Sequence, residues 1–194
     1  MMSLNQRLDL IESKVLETNF RTGRGTANEV NFWIFDYAPE DEITVRNYVD
    51  SLIGRVNSKQ EDIQIKNCDL FSLMINILRE NNYLDMLITE ENAIKSASII
   101  QPLKSMLGLT EKEASLNLII EKMIEGLQPQ RDVIFLTGVG KAWPIVRSHT
   151  ILNNLHSKIE KNPLVMFFPG EYTDELKLFG EITDDNYYRG FKLV

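Results

Sequence analysis

The chain has 194 residues, 43% apolar and 25% charged, a balance that excludes global disorder and suits one ordinary domain. Its formal net charge of −7, from 21 Lys+Arg against 28 Asp+Glu, argues against a general DNA-backbone binder, which gathers cations on phosphates. One cysteine, Cys68, excludes an intramolecular disulfide and any Cys-rich metal cluster, and the apolar run 164–168 is too short to span a bilayer.

Leu4, Leu8, Ile11 and Val15 recur at helical spacing and predict an amphipathic helix over 3–18. Residues 22–26 (Thr-Gly-Arg-Gly-Thr) read as a loop. Residues 30–36 (Val-Asn-Phe-Trp-Ile-Phe-Asp) have the character of a buried strand. Pro39 and the acids Glu40, Asp41 and Glu42 suit a helix start, and Val45, Val49, Leu52 and Val56 continue that helix. Ile63 and Ile65 alternate with polar neighbours in a short second strand. Asp69 is placed to cap a helix whose apolar face is Phe71, Met74, Ile77 and Leu78.

Residues 83–127 are mostly helical by pattern, within a helical middle segment of about 68–127. Pro102 is expected to break or kink that stretch. Thr110 and Glu113 fit a capping box, and Gly126 a helix stop. Residues 131–137 return to strand, Pro144 suits the first turn of a helix over 144–160, and 164–168 form another buried strand ended by Pro169-Gly170. Leu176, Leu178 and Ile182, a turn at 183–186 and the segment 187–194 read as an antiparallel hairpin closing the chain. The fold expected is therefore α/β, within a single domain over 1–194. A mostly parallel sheet of about four to five strands carries helices on both faces, doubly wound and P-loop-like in outline, with a C-terminal antiparallel hairpin. Residues 1–9 lack a basic segment leading into an apolar core, so no secretory signal is read there, and a cytoplasmic protein without membrane contact is expected.

The segment 137–154 concentrates the unusual chemistry. It reads Thr-Gly-Val-Gly-Lys-Ala-Trp-Pro-Ile-Val-Arg-Ser-His-Thr-Ile-Leu-Asn-Asn, follows a strand and opens a helix, where α/β sheets collect ligands and partners. Residues 131–161 hold five cations against Asp132 and Glu160, and both histidines of the chain. Gly138 and Gly140 permit a tight turn, and the following helix start favours anions. A Walker A loop is absent: Phe135 stands where its first glycine belongs, and Ala142 where it needs Ser or Thr. The dinucleotide pattern also fails, since its third glycine falls on Trp143.

On a helix over 144–160, Ile145, Leu152, Leu155 and Ile159 would form the core stripe. His149 and His156 would lie at its edge, about 10 Å apart along the axis, too far for one metal, and each reads better as a hydrogen-bonded core histidine. Arg147, Thr150 and Asn154 would face outward, able to hold an anion or a carboxylate partner, or simply to be solvated. Trp143 is either core or an interface anchor. Cys68 reads as a buried structural thiol, no nucleophile elbow exists, and no metal or cofactor is expected. The candidate interface or ligand residues are Thr137, Gly138, Gly140, Lys141, Trp143, Pro144, Arg147, His149, Asn153 and Asn154, with Tyr187, Tyr188 and Arg189 as a second set.

The string 137–155, with the downstream Pro163-Leu-Val-Met-Phe-Phe-Pro-Gly170 and Asp184-Asp-Asn-Tyr-Tyr-Arg189, resembles the BrxB family of BREX (bacteriophage exclusion) operons. The matching length extends that resemblance over the whole chain. It implies a part in phage defence, beside a methyltransferase, a large ATPase and PglZ, an alkaline-phosphatase-like protein. For a family without an established reaction it implies a non-catalytic assembly component, with PglZ the first partner to test, and DNA met only through the complex. The alternative is a degenerate nucleotide or phosphate binder using the 137–147 turn; direct DNA binding ranks last.

Overall fold

The computed structural model describes residues 2–22, 31–91, 99–110, 117–156, 158–159, 161–173, 175–183 and 190–194. Helices α1 (Leu4–Leu16) and α2 (Thr18–Thr22) open the chain, and Ser3 and Gln6 close a reciprocal capping box at the start of α1. Strand β1 (Phe32–Tyr37) leads through a 3-10 turn (Pro39–Asp41) into α3 (Glu42–Lys59). Strand β2 (Gln64–Asp69) is followed by α4 (Leu70–Glu80), α5 (Tyr83–Glu91), α6 (Ile100–Met106) and α7 (Leu118–Ile124). Then come β3 (Asp132–Thr137), α8 (Val139–Ala142), α9 (Ser148–Leu155) and β4 (Leu164–Tyr172). Strands β5 (Leu176–Leu178), β6 (Ile182–Thr183) and β7 (Phe191–Lys192) end the chain.

The main sheet has the order β2-β3-β4-β1-β7, every pair parallel. Alternate side chains build two cores. Ile134, Leu136, Leu164, Met166 and Phe168 face α4 to α9, while Val133, Phe135, Val165 and Phe167 face α1 to α3. The chain travels across the sheet in one direction through α3 and returns in the other through α4 to α9. Opposite directions on opposite faces keep every crossover of one hand. The α/β reading, with helices on both faces and an added antiparallel hairpin, is therefore borne out.

Several local expectations change. Strand β2 runs on to Asp69, well beyond Ile65, because its ladder with β3 continues to Thr137; the polar Lys66, Asn67 and Asp69 are tolerated on an edge strand. Its outer rim is covered: the Asn57 side chain donates to the Ile65 carbonyl at 2.9 Å and accepts from the Ile65 amide at 2.8 Å. The buried face of α4 uses Leu70 in place of Phe71, which is 38% exposed. Pro102 sits in the first turn of α6, where its missing N–H costs no helical bond. Gly126 follows α7 at φ +65°, as a helix stop should. The capping box at Thr110 and Glu113 extends outside the described residues; within them Asn117 caps α7 by accepting from the Ile120 amide.

Strand β4 does not end at Pro169-Gly170. Its first half pairs parallel with β1 and β3, and its second half pairs antiparallel with β5. A side chain at Gly170 would overlap the Lys177 carbonyl, so glycine lets β5 close on the strand. The hairpin consists of β5 and β6, whereas the final strand β7 lies parallel to β1 at the sheet edge. Among its anchors, Lys192 pairs with Asp36 at 2.8 Å, the Leu193 amide donates to the Ile34 carbonyl, and Tyr172 Oη donates to the Gly190 carbonyl. The expected helix over 144–160 is also replaced. A cis Trp143-Pro144 bond and an extended Trp143 separate α8 from α9. The Ile145 and Val146 amides both turn back onto the Ala142 carbonyl, so α9 starts at Ser148 and not at Pro144.

Candidate functional site

The carboxyl ends of the parallel strands bring Thr137, Gly138, Gly140 and Lys141 to one edge of the sheet. Thr137 ends β3 and donates through Oγ1 to Asn67 Oδ1 of β2 at 2.8 Å. Asp69, paired in register with Thr137, accepts from the Ser72 amide at 2.8 Å and from Lys141 Nζ at 2.7 Å. Burial alone would raise the Asp69 carboxyl, but the Lys141 and Ser72 donors outweigh it and hold it below its ordinary value. The lysine of the glycine turn is thus committed to an ion pair.

Packing explains both glycines. Gly138 has φ +69°, and a Cβ there would meet the Asp69 carboxylate at 2.7 Å. Gly140 lies beneath Phe179, whose ring would meet a Cβ at 2.9 Å. Gly138→Ala is expected to cost about 2 kcal/mol, from the left-handed backbone and a displaced Asp69. A urea titration checks this; a loss below about 0.5 kcal/mol would show that the turn tolerates a side chain.

Trp143 is 38% exposed and lines a shallow crevice with Val139, Val146, Leu178 and Ile182 beside Arg147. Arg147 is exposed at the head of α9. Pro144 and His149 are half-buried, Asn153 is exposed, and Asn154 donates to the Thr150 carbonyl. His156 is exposed, so it is not a core histidine. The buried stripe of α9 is Ser148, Ile151, Leu152 and Leu155. Tyr187, Tyr188 and Arg189 lie outside the described residues.

Sequence reasoning missed the opposite wall. A cleft of about 230 Å³ lies between the first half of α3 and the strand ends, floored by Val45, Val49 and Phe167. Glu42, Arg46 and Asp50 rim it from α3, and Asn67, Asp69 and Thr137 face them. Tyr37 donates from within to Glu42 at 2.5 Å; burial first, and then that bond, raise its phenol well above the usual range. The signal available was the polar residue ending each strand, Asp69 above all. Exposed apolar side chains complete the edge: Ile43 from α3, Phe71 from α4, Trp143 after α8 and Phe179 after β5.

Cys68 is buried and its thiol is pushed up to about 12, chiefly by loss of solvation. Dithionitrobenzoate at neutral pH is expected to leave it unmodified in the native protein and to label it on unfolding; rapid native labelling would overturn its structural role. Among the described residues no group of three or more His, Cys, Asp and Glu could hold a metal ion, and no helix is long and apolar enough to cross a membrane.

The family model described as BREX protein BrxB matches residues 66–193, which carry α4, the glycine turn, the Trp143–Arg147 surface and the hairpin. The chain belongs to the BrxB family. A BREX protein BrxB of Bacillus cereus (strain H3081.97) is 44% identical to it over 195 residues, covering 100% of this chain and 99% of that protein. Another, of Escherichia coli O9:H4 (strain HS), is 30% identical over 192 residues, covering 98% and 92%. No solved structure matches. As a BrxB-family member, the chain belongs to the BREX systems and so to phage defence.

Proposed function

We propose that this BrxB-family chain is a non-catalytic assembly component of a BREX complex, and that the carboxyl edge of its sheet docks PglZ. One contrast carries the reading. The polar groups of the glycine turn satisfy one another, as Asp69–Lys141 and Thr137–Asn67, while Ile43, Phe71, Trp143 and Phe179 stand exposed around them. Large apolar side chains presented from several loops suit a protein interface, with tryptophan and arginine as anchors. The edge is also electrically divided. On the α3 side Glu40, Asp41, Glu42 and Asp50 outnumber Arg46, whereas on the side of α8 and α9 Arg147 stands exposed and Lys141 balances Asp69. Such a division orients a docking partner.

A phosphate-binding turn fits less well, because Lys141 is paired, Gly140 is covered by Phe179, and α8 spans only Val139–Ala142. Co-purification of the tagged chain with the operon's other products tests the proposal. PglZ is expected to come down with the wild type and to be lost with Trp143→Ala or Arg147→Ala. Equal capture by all three proteins would overturn the docking surface.

A further inference from the structure

We infer that the cleft between α3 and the strand ends receives one basic side chain, lysine or arginine, of the docking protein. This rests on the docking reading above and gives it a chemistry. The Asp69 charge is already neutralised by Lys141 at 2.7 Å. Arg46 stands one helical turn from both Glu42 and Asp50 and can neutralise only one of them. Asp50 is exposed, and its carboxylate forms no hydrogen bond or ion pair among the described residues. The cleft thus keeps one spare negative charge above a floor of Val45, Val49 and Phe167.

A long basic side chain satisfies both features, its methylenes covering the valines while its head meets the carboxylate. About 230 Å³ holds a single such side chain and is small for a drug-sized ligand. An anionic group would meet Glu42, Asp50 and Asp69 together, and a purely aliphatic one would leave the rim charge unanswered. The net charge of −7 and the neighbouring Glu40 and Asp41 draw basic surfaces toward this side.

The test uses the full chain and PglZ, with binding measured at two salt concentrations. Asp50→Lys is expected to weaken binding at least tenfold and Asp50→Asn less, while Asp50→Glu stays within about twofold of wild type. Glu61→Lys, at the amino-terminal edge of the sheet, should bind as wild type. Unchanged thermal midpoints confirm that the Asp50 variants remain folded, and binding through this charge should weaken with salt. If Asp50→Lys binds as tightly as wild type, the inference falls and the docking surface stands. If Glu61→Lys weakens binding equally, the effect is bulk charge and the inference falls. If the wild type does not bind PglZ, the docking reading fails and this one with it.

Discussion

Replacing Asp36 by alanine is expected to cost the fold about 3 kcal/mol and to lower its thermal midpoint by roughly 6–12 °C. Asp36 lies at the centre of a buried network. It accepts from Arg7 at 2.6 Å and from the Tyr172 amide at 3.1 Å, and it pairs with Lys192 at 2.8 Å. Removing the carboxylate leaves the Arg7 guanidinium, whose side chain is only 20% exposed, with the Val194 carbonyl and the Phe35 ring but no counter-charge, and frees Lys192 of β7 from β1. An unpaired cation costs more than the lost bonds alone, which is why truncating one partner exceeds the net worth of the pair. Calorimetry on Asp36→Ala checks this, and a shift below about 2 °C would show that the network is dispensable.

The same network sets an acid limit. Burial alone would raise the Asp36 carboxyl, but the donors Lys192, Tyr172 and Arg7 outweigh it and hold it below its ordinary value. A carboxyl lowered by folding adds stability above its unfolded pKa, about 3.9, and loses it as pH falls through the folded value. Wild type should therefore shed stability below about pH 4, and Asp36→Ala should show a smaller part of that loss.

Trp143→Ala and Arg147→Ala are expected to weaken partner binding by about 30-fold or more each, and to let phage plate on cells that the wild-type chain protects. Trp143 already leaves 38% of its surface in water, and the Arg147 side chain makes no hydrogen bond or ion pair among the described residues. Their truncation therefore takes little from the fold. Trp143→Phe keeps a flat apolar body and should retain more binding than alanine. Full protection by both alanine variants would refute the assignment of this surface.

Much of this fold was legible because its buried strands are continuous apolar runs. Val133 to Leu136 and Leu164 to Phe168 allowed little else, and Val45, Val49, Leu52 and Val56 declared α3 by period alone. Reading failed where tertiary pairing overrides local pattern. Pro169-Gly170 looks like a terminator but lies inside β4, because β5 supplies the pairing and Gly170 the space. The helix expected from Pro144 starts only at Ser148, because the backbone of 145–146 turns back onto Ala142 instead. At the site, the sequence located the glycine turn and its tryptophan. It could not show that Lys141 already has a partner in Asp69, 72 positions earlier, nor that α3 closes the opposite side of a cleft.

The Asn57 amide at the rim of β2 bears on how this molecule joins others. It occupies the N–H and C=O of Ile65 that an incoming strand would need. A strand approaching from that side finds the Ile65 groups already taken, so pairing at that position requires first displacing the Asn57 side chain of α3. Recognition is thereby pushed away from main-chain addition, which tolerates many sequences, and toward side chains at the strand ends, which do not. An assembly built this way selects its partner by shape and charge, and the rim around Ile65 offers a poor template for copies of the chain.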